Sequence, residues 1–244
     1  MRYLLIFLFL WLGVSSGYSK PEYVKGLPLK ITTYGLDLIV HFEVGGASYY
    51  KKAYQRPVWP EGASGVTVGI GYDLGYNTKA QIRSDWCGRI PRKMVEALES
   101  CAGIKGSKAR YYQQKIRWQV VIPLEAAMDV FINRSVTRFS AITKSTSNTI
   151  EKAHPYIQDM MLSQTFNRGS SIEGYSRRHV LWQSRSCAKG QYYALPEYCR
   201  DSKVVWANKP SIRKGIWRRR DTEAAHGFGG GNFIPQKDRV NTRK

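Results

Sequence analysis

The sequence predicts an α+β fold in which a small β-rich lobe packs against a larger helical lobe. Two observations predict it. Short segments rich in Tyr, Val, Gly and Pro lie between about 47 and 73, and helical periodicity dominates from Thr78 onward. The 244 residues, 43% hydrophobic and 13% aromatic, supply one packed core but are too few for two average domains with linkers. This aromatic content also excludes a disordered chain.

The first helix is predicted over Thr33–Val44, because Leu36, Ile39 and Val40 fall on one helical face. The Gly45-Gly46 pair then ends it. Short strands and a loop are expected to follow.

Helices are expected along most of the remaining chain. Pro91 and Pro123 each open one at its first turn, and Ser107 can cap another. Further helices are predicted over 155–166, 176–186, 201–208 and 211–220. The end of the chain, from Gly227 to Lys244, is Gly-rich and then polar, which predicts a frayed tail.

The first 17 residues have the features of a secretory signal peptide. Arg2 is followed by an apolar run of 12 residues, Tyr3 to Val14, and then by small residues. The run is too short to span a bilayer. A buried N-terminal helix and a retained anchor are alternatives, because an Ala-x-Ala cleavage site is absent. We therefore expect a signal at 1–17, one domain at 18–228 and a flexible basic tail at 229–244. We also expect a periplasmic or secreted monomer without a stable membrane span after signal removal.

Cysteine usage fits export. The chain contains four cysteines, an even number, which suggests two disulfides in an oxidising compartment. Three pairings are possible, and Cys87–Cys101 and Cys187–Cys199 are favoured because each closes a short local loop. A zinc site is disfavoured, since the sequence has no C-x-x-C and its histidines are scattered.

The charge predicts an anionic partner. Lys and Arg total 38 against 18 for Asp and Glu, a formal charge of +20. Nucleic acid, an acidic membrane and an acidic cell-wall polymer are the candidates. Arg177-Arg178 and Arg218-Arg219-Arg220 are candidate contacts, although solvated helix faces are the alternative for both runs.

Glu43 is the most informative residue. It lies one turn beyond Val40 on the apolar face of the first helix. Burying a charged carboxylate is costly, so such a group holds its proton closer to neutral pH, as a general acid must. The alternative is a Glu that ends a helix in a salt bridge, with His41 or a distant Arg as its partner.

The segment Gly65–Gly75 (GVTVGIGYDLG) alternates apolar with polar or glycine residues. Thr67 and Asp73 then share one face, with only glycines between them, so a substrate can approach the backbone closely. A straight strand would separate the two by about 20 Å. The chain must therefore bend at Gly69 or Gly71 if both residues serve one site. A Gly-rich hairpin with a turn Asp is the alternative.

A Glu that ends the first helix, followed by Thr67-Val68-Gly69-Ile70-Gly71, resembles the phage-type lysozymes and their pesticin-like relatives. Two more blocks are similar to that family, and the resemblance covers about 35 to 228. Thr165-Phe166-Asn167-Arg168-Gly169 looks like the family's helix-end motif, in which an aromatic and an amide line the sugar cleft. Gly215–Arg220, continuing through Glu223-Ala224-Ala225, looks like its closing helix.

The resemblance implies a lysozyme-like fold with the active-site cleft between the two lobes. It also implies a muramidase that hydrolyses bacterial peptidoglycan without a metal or organic cofactor. It carries the general-acid role onto Glu43 and a water-positioning role onto Thr67. The second acid is Asp73 in the pesticin-like arrangement, which the spacing favours, or Glu61 in the arrangement of many phage-type lysozymes.

Tyr72, Phe166 and Asn167 are the candidate substrate-binding residues, and nucleic acid is not expected to be the functional partner. Two other functions remain open at this point. One is an exported basic protein with a degenerate lysozyme fold that binds wall without cleaving it. The other is a lytic transglycosylase, which leaves an anhydro end on the glycan.

Overall fold

The computed structural model describes residues 22–229 and 234–240. The predicted signal peptide at 1–17 lies outside the described residues. The chain is mostly helical with one small antiparallel sheet, which confirms the α+β class. The strands are β1 (Thr67–Val68) and β2 (Tyr72–Asp73). The α-helices are α1 (Thr33–Val44), α2 (Gly46–Ala53), α3 (Lys79–Trp86), α4 (Arg92–Glu99), α5 (Ser107–Ile116), α6 (Leu124–Val130), α7 (Thr137–Thr146), α8 (Pro155–Arg168), α9 (Arg178–Ala188), α10 (Leu195–Asp201) and α11 (Pro210–Gly229).

Helix α1 has the bounds that the sequence predicts. The Thr32 hydroxyl caps it by accepting a hydrogen bond from the Gly35 amide at 3.1 Å. Gly45 ends it in the left-handed conformation, with φ 73°. The apolar face of the helix is fully buried, so α1 forms one wall of the core.

Helix α8 is the central element of the helical part. Every residue from Ile157 to Thr165 is buried, and the helix packs against α1, α7, α10 and α11. Buried Asp159 accepts hydrogen bonds from the Thr32 amide at 2.8 Å and the Thr32 hydroxyl at 2.5 Å. The same carboxylate lies 2.9 Å from His226 Nε2. These contacts tie the start of α1 and the end of α11 to the middle of α8.

The structure corrects the expected secondary structure after Gly45. Residues 46–53 form helix α2, where the sequence predicted strands and a loop. Packing outweighs local β propensity here, because the buried Tyr50 ring anchors the helix and its hydroxyl donates to the Ile122 carbonyl at 3.1 Å.

The C-terminal part also differs from the expectation. Helix α11 continues to Gly229, beyond the predicted end at Arg220. Gly227 lies so close to Met160 that a Cβ there would come within 2.9 Å of its sulfur. Ile234 and Val240 are buried, and the Val240 amide donates to Asp37 Oδ1 at 2.6 Å. Ile234 and Val240 are therefore packed against the domain, whereas the residues between them are exposed or half-buried. The flexible tail at 229–244 stays a prediction.

No helix within residues 22–229 and 234–240 is both long enough and apolar enough to span a membrane.

The structure forms neither predicted disulfide, since all four cysteines are free thiols. Cys87 is exposed and Cys101 is buried, and neither is bonded to another cysteine. Cys199 instead donates to Glu223 Oε2 at 3.6 Å. Burial raises the pKa of the Cys187 thiol to about 11, which keeps it protonated and unreactive.

Candidate active site

The hairpin bends where its glycines permit. β1 and β2 pair antiparallel, with Thr67 opposite Asp73. Gly69 and Gly71 adopt φ of 59° and 73°, a conformation that side chains disfavour. The required bend is therefore present, and it brings the two candidate residues directly across from each other.

The hairpin rests on the aromatic end of α3. The Trp86 indole is fully buried and packs edge-to-face with Tyr72, with ring centroids 5.5 Å apart. A Cβ at Gly69 would come within 3.2 Å of the Trp86 ring, which is tighter than ordinary contact. This close packing fixes the position of the turn.

The Asp73 carboxylate is held by backbone amides on both sides. Its Oδ1 accepts from the Gly75 amide at 2.8 Å, and its Oδ2 accepts from the Gly65 amide at 3.0 Å. These two hydrogen bonds fix the orientation of the carboxylate. By contrast, Glu61 is exposed in a turn, with φ 75°. Of the two candidate second acids, Asp73 is the one on the hairpin face opposite Thr67.

A cleft of about 680 Å³ lies beside the hairpin. Its residues come from the hairpin and the turn after it, from a π-helical segment over Phe131–Val136 that joins α6 to α7, and from the ends of α7 and α8. They are Gly71, Tyr72, Asp73, Tyr76, Asn77, Asn133, Arg134, Ser135, Thr137, Arg138, Phe139 and Phe166. π-Helical segments often occur at functional sites. Three predicted site residues, Tyr72, Asp73 and Phe166, also line the cleft.

The cleft has an aromatic side and a basic side. The Phe139 and Phe166 rings lie 4.6 Å apart. Arg134 pairs with Asp85 at 3.3 Å, and the Tyr72 hydroxyl donates to the same carboxylate at 2.8 Å. Burial, followed by this hydrogen bond, raises the pKa of Tyr72 above its usual range, so the hydroxyl stays protonated.

Glu43 lies at the end of α1 with its side chain 26% exposed. Its Oε1 accepts from Arg219 Nη1 at 2.7 Å. This is the salt-bridged alternative with a distant Arg as partner. His41 does not take part in the pair, because it contacts Arg218 at 3.1 Å.

Arg219 belongs to a buried charged network. Glu223, fully buried, lies 3.0 Å from both Arg219 Nε and Arg220 Nε. Arg220 Nη2 donates to Asn167 Oδ1 at 3.0 Å. Burial acts to lower the pKa of Arg219, but Glu223 and then Glu43 outweigh it and raise that pKa.

This network corrects one sequence-based expectation about the run Arg218-Arg219-Arg220. Arg219 and Arg220 are 3% and 0% exposed. These two arginines therefore neither contact the bacterial cell wall nor form a solvated helix face, because the buried Glu223 carboxylate pairs with both.

The structure divides the predicted site residues into two adjoining groups. Tyr72, Asp73 and Phe166 line the cleft, and Thr67 lies across the hairpin from Asp73. Glu43 and Asn167 belong to the arginine network and are not among the lining residues. The end of α8 joins the groups, because Phe166 and Asn167 are consecutive.

Sequence reasoning missed the basic side of the cleft and the partner of Glu43. Arg134 and Arg138 are four residues apart and lie between Phe131 and Phe139, a spacing that could have indicated one basic face. No sequence signal links Glu43 to Arg219, since 176 residues separate them. Among the described residues, no group of three or more His, Cys, Asp or Glu side chains is arranged to hold a metal ion.

Residues 39–166, more than half of the chain, match a protein family described as Domain of unknown function (DUF8812). The chain belongs to this family. The DUF8812 region contains Glu43, the hairpin and every residue that lines the cleft. Arg219 and Glu223 lie beyond it. No curated protein matches the sequence.

Proposed function

We propose that the protein is a lysozyme-type glycoside hydrolase that cleaves the glycan strand of bacterial peptidoglycan, with a lysozyme-like fold. One observation carries the proposal. The end of α8 supplies Phe166 to the cleft and Asn167 to the network that holds Glu43. A carboxyl group at the end of the first helix is thereby linked to a groove whose other wall is the hairpin.

In the proposed reaction, Glu43 donates a proton to the glycosidic oxygen as the bond from that oxygen to the sugar carbon breaks. In the resting structure Glu43 is paired with Arg219 at 2.7 Å, and in the proposed reaction it carries its proton once the glycan has displaced water from the site. Arg219 tolerates this change, because Glu223 continues to offset its charge at 3.0 Å.

Asp73 and Thr67 serve the other side of the reaction. Asp73 is held as a fixed acceptor by two backbone amides. It either takes the proton of an attacking water that Thr67 holds, or stabilises the positive charge that develops on the sugar. The first route inverts the anomeric centre and the second can retain it, so NMR of the first-formed anomer distinguishes them.

The charge of +20 supports an anionic substrate. A cationic enzyme is attracted to an acidic wall polymer, and this attraction weakens with added salt. Residues 1–17 are the remaining basis for an exported enzyme, because the four free thiols give no support to an oxidising compartment.

The test compares the protein with its Glu43→Gln variant on purified peptidoglycan. Gln retains an oxygen for Arg219 but has no proton of carboxylic acidity, so release of reducing ends should fall by at least about 100-fold. Glu96→Gln, at an exposed ion pair on α4, is the matched control and should remain active. Equal activity of the Glu43 variant and the control would overturn the assignment.

A wall-binding protein without activity is the second candidate, and the Glu43–Arg219 ion pair favours it. In that case neither the protein nor the Glu43 variant releases fragments, and both sediment with the wall. A lytic transglycosylase would instead release fragments that carry anhydro ends.

A further inference from the structure

The carboxylates at and near the cleft already have hydrogen-bond or ion-pair partners within the protein. Among the described residues that line it, Asp73 is the one carboxylate, and both of its oxygens accept backbone hydrogen bonds. Asp85 is not among the lining residues, and its carboxylate is shared by Tyr72 and Arg134. These carboxylates leave little negative charge to balance a further cation at the cleft.

Arg138 is such a cation. Its side chain is exposed, lines the cleft, and forms no ion pair or hydrogen bond within residues 22–229 and 234–240. Its guanidinium lies 5.9 Å from the centre of the Phe139 ring. Lys105 adds positive charge at the rim, where its Nζ lies 3.5 Å from the centre of the Tyr76 ring.

The cleft also has an apolar surface next to Arg138. Phe166 packs against Phe139, and both rings line the cleft, so a ligand meets an apolar surface beside the guanidinium. A volume of about 680 Å³ accommodates more than a bare ion. The cleft therefore suits a ligand with an anionic group attached to a bulkier body.

We propose that this cleft recognises a carboxylate carried by the glycan strand, with Arg138 as its binding residue. A free guanidinium pairs with a carboxylate through two parallel hydrogen bonds, a geometry that an ammonium cannot reproduce. The identity of the ligand rests on the proposed function. On a peptidoglycan strand, the carboxylate belongs either to the lactyl group of muramic acid or to the attached peptide.

The experiment is calorimetric titration of the full chain with three soluble probes at low salt. The first is the uncharged tetramer of N-acetylglucosamine. The second is the disaccharide of N-acetylglucosamine and N-acetylmuramic acid, with muramic acid at the reducing end, which a muramidase does not cleave. The third is the same disaccharide with its peptide. The variants are Arg138→Gln and, as a matched control, Lys144→Gln, an exposed cation on α7 that does not line the cleft.

We expect the protein to bind at least one acidic probe about tenfold more tightly than the neutral tetramer, a difference of about 1.4 kcal/mol. Arg138→Gln should abolish this preference without lowering affinity for the tetramer, and Lys144→Gln should retain it. Tighter binding of the disaccharide without peptide would identify the lactyl carboxylate as the group that Arg138 binds. Tighter binding of the disaccharide with peptide alone would identify a carboxylate of the peptide. Both variants should have the same melting temperature as the unmodified protein, since neither side chain is buried.

Equal binding of acidic and neutral probes, no binding of any probe, or an unchanged preference in Arg138→Gln would overturn the inference. Its failure is separable from failure of the proposed function. Acid-selective binding without wall cleavage refutes the hydrolase and leaves the site, whereas cleavage without acid selectivity does the reverse.

Discussion

Glu223→Gln should be among the most destabilising conservative substitutions in the protein. Glu223 Oε1 accepts from Ser163 Oγ at 2.6 Å, from Arg219 Nε at 3.0 Å and from Arg220 Nη2 at 3.1 Å. The amide would keep the shape but remove the charge that offsets two buried cations. Removing one partner of a buried ion pair costs about 3–5 kcal/mol, because the other charge is left uncompensated.

Urea unfolding followed by tryptophan fluorescence measures this cost. The midpoint should fall while the slope with denaturant stays constant, which indicates a change in stability alone. Glu96→Gln is again the control, since its pair with Arg92 is exposed and should be worth about 0.3–0.5 kcal/mol. A loss in Glu223→Gln no larger than in the control would refute the network as a source of stability.

Three further perturbations have defined outcomes. Burial lowers the pKa of His179 from 6.5 to about 4, and the nearby charges of Arg178 and Arg168 add to this effect. The free energy of unfolding should therefore decrease as the pH falls from about 6.5 to about 4. The loss between pH 7 and 4.5 is about 2–3 kcal/mol by urea unfolding, and His179→Gln should remove it. Gly35→Ala should destabilise by about 1–3 kcal/mol, because the new Cβ would lie 2.3 Å from Asp159 Oδ1; a higher melting temperature would contradict this contact. An aromatic disulfide reagent should titrate Cys87 alone in the native protein and all four thiols after unfolding without reductant; fewer than four would indicate a disulfide.

Local signals predicted the first helix and the hairpin well. The bounds of α1 follow from an apolar face and a terminal glycine, both of which act within a few residues. The bend at Gly69 and Gly71 follows from the chemistry of glycine together with the requirement that Thr67 meet Asp73. Neither prediction needs information about the rest of the chain.

Other features depend on contacts that sequence spacing does not encode. Helix α2 forms because Tyr50 finds a buried position against Ile122, 72 residues away. The run of three arginines looked like a surface feature, but the burial of Glu223 directs Arg219 and Arg220 inward. Local loop length likewise did not predict the state of the cysteines, which the packing of each thiol decides.

The structure brings some of the predicted site residues together. Tyr72, Asp73 and Phe166 do line one cleft, as their assignment to one site requires. The π-helical segment that carries Arg134 was not predictable, because its residues have an ordinary helical composition. Its wider turn changes which residues face the cleft.

The source of the oxygen at a newly formed glycan end tests the central claim most directly. Purified peptidoglycan is digested in water enriched in a heavy oxygen isotope, and the masses of the fragments are measured by mass spectrometry. A hydrolase that uses Glu43 incorporates one heavy oxygen at each new reducing end, and the Glu43→Gln variant releases almost no fragments. Unlabelled anhydro fragments, or labelled fragments released equally by the variant, would contradict the account.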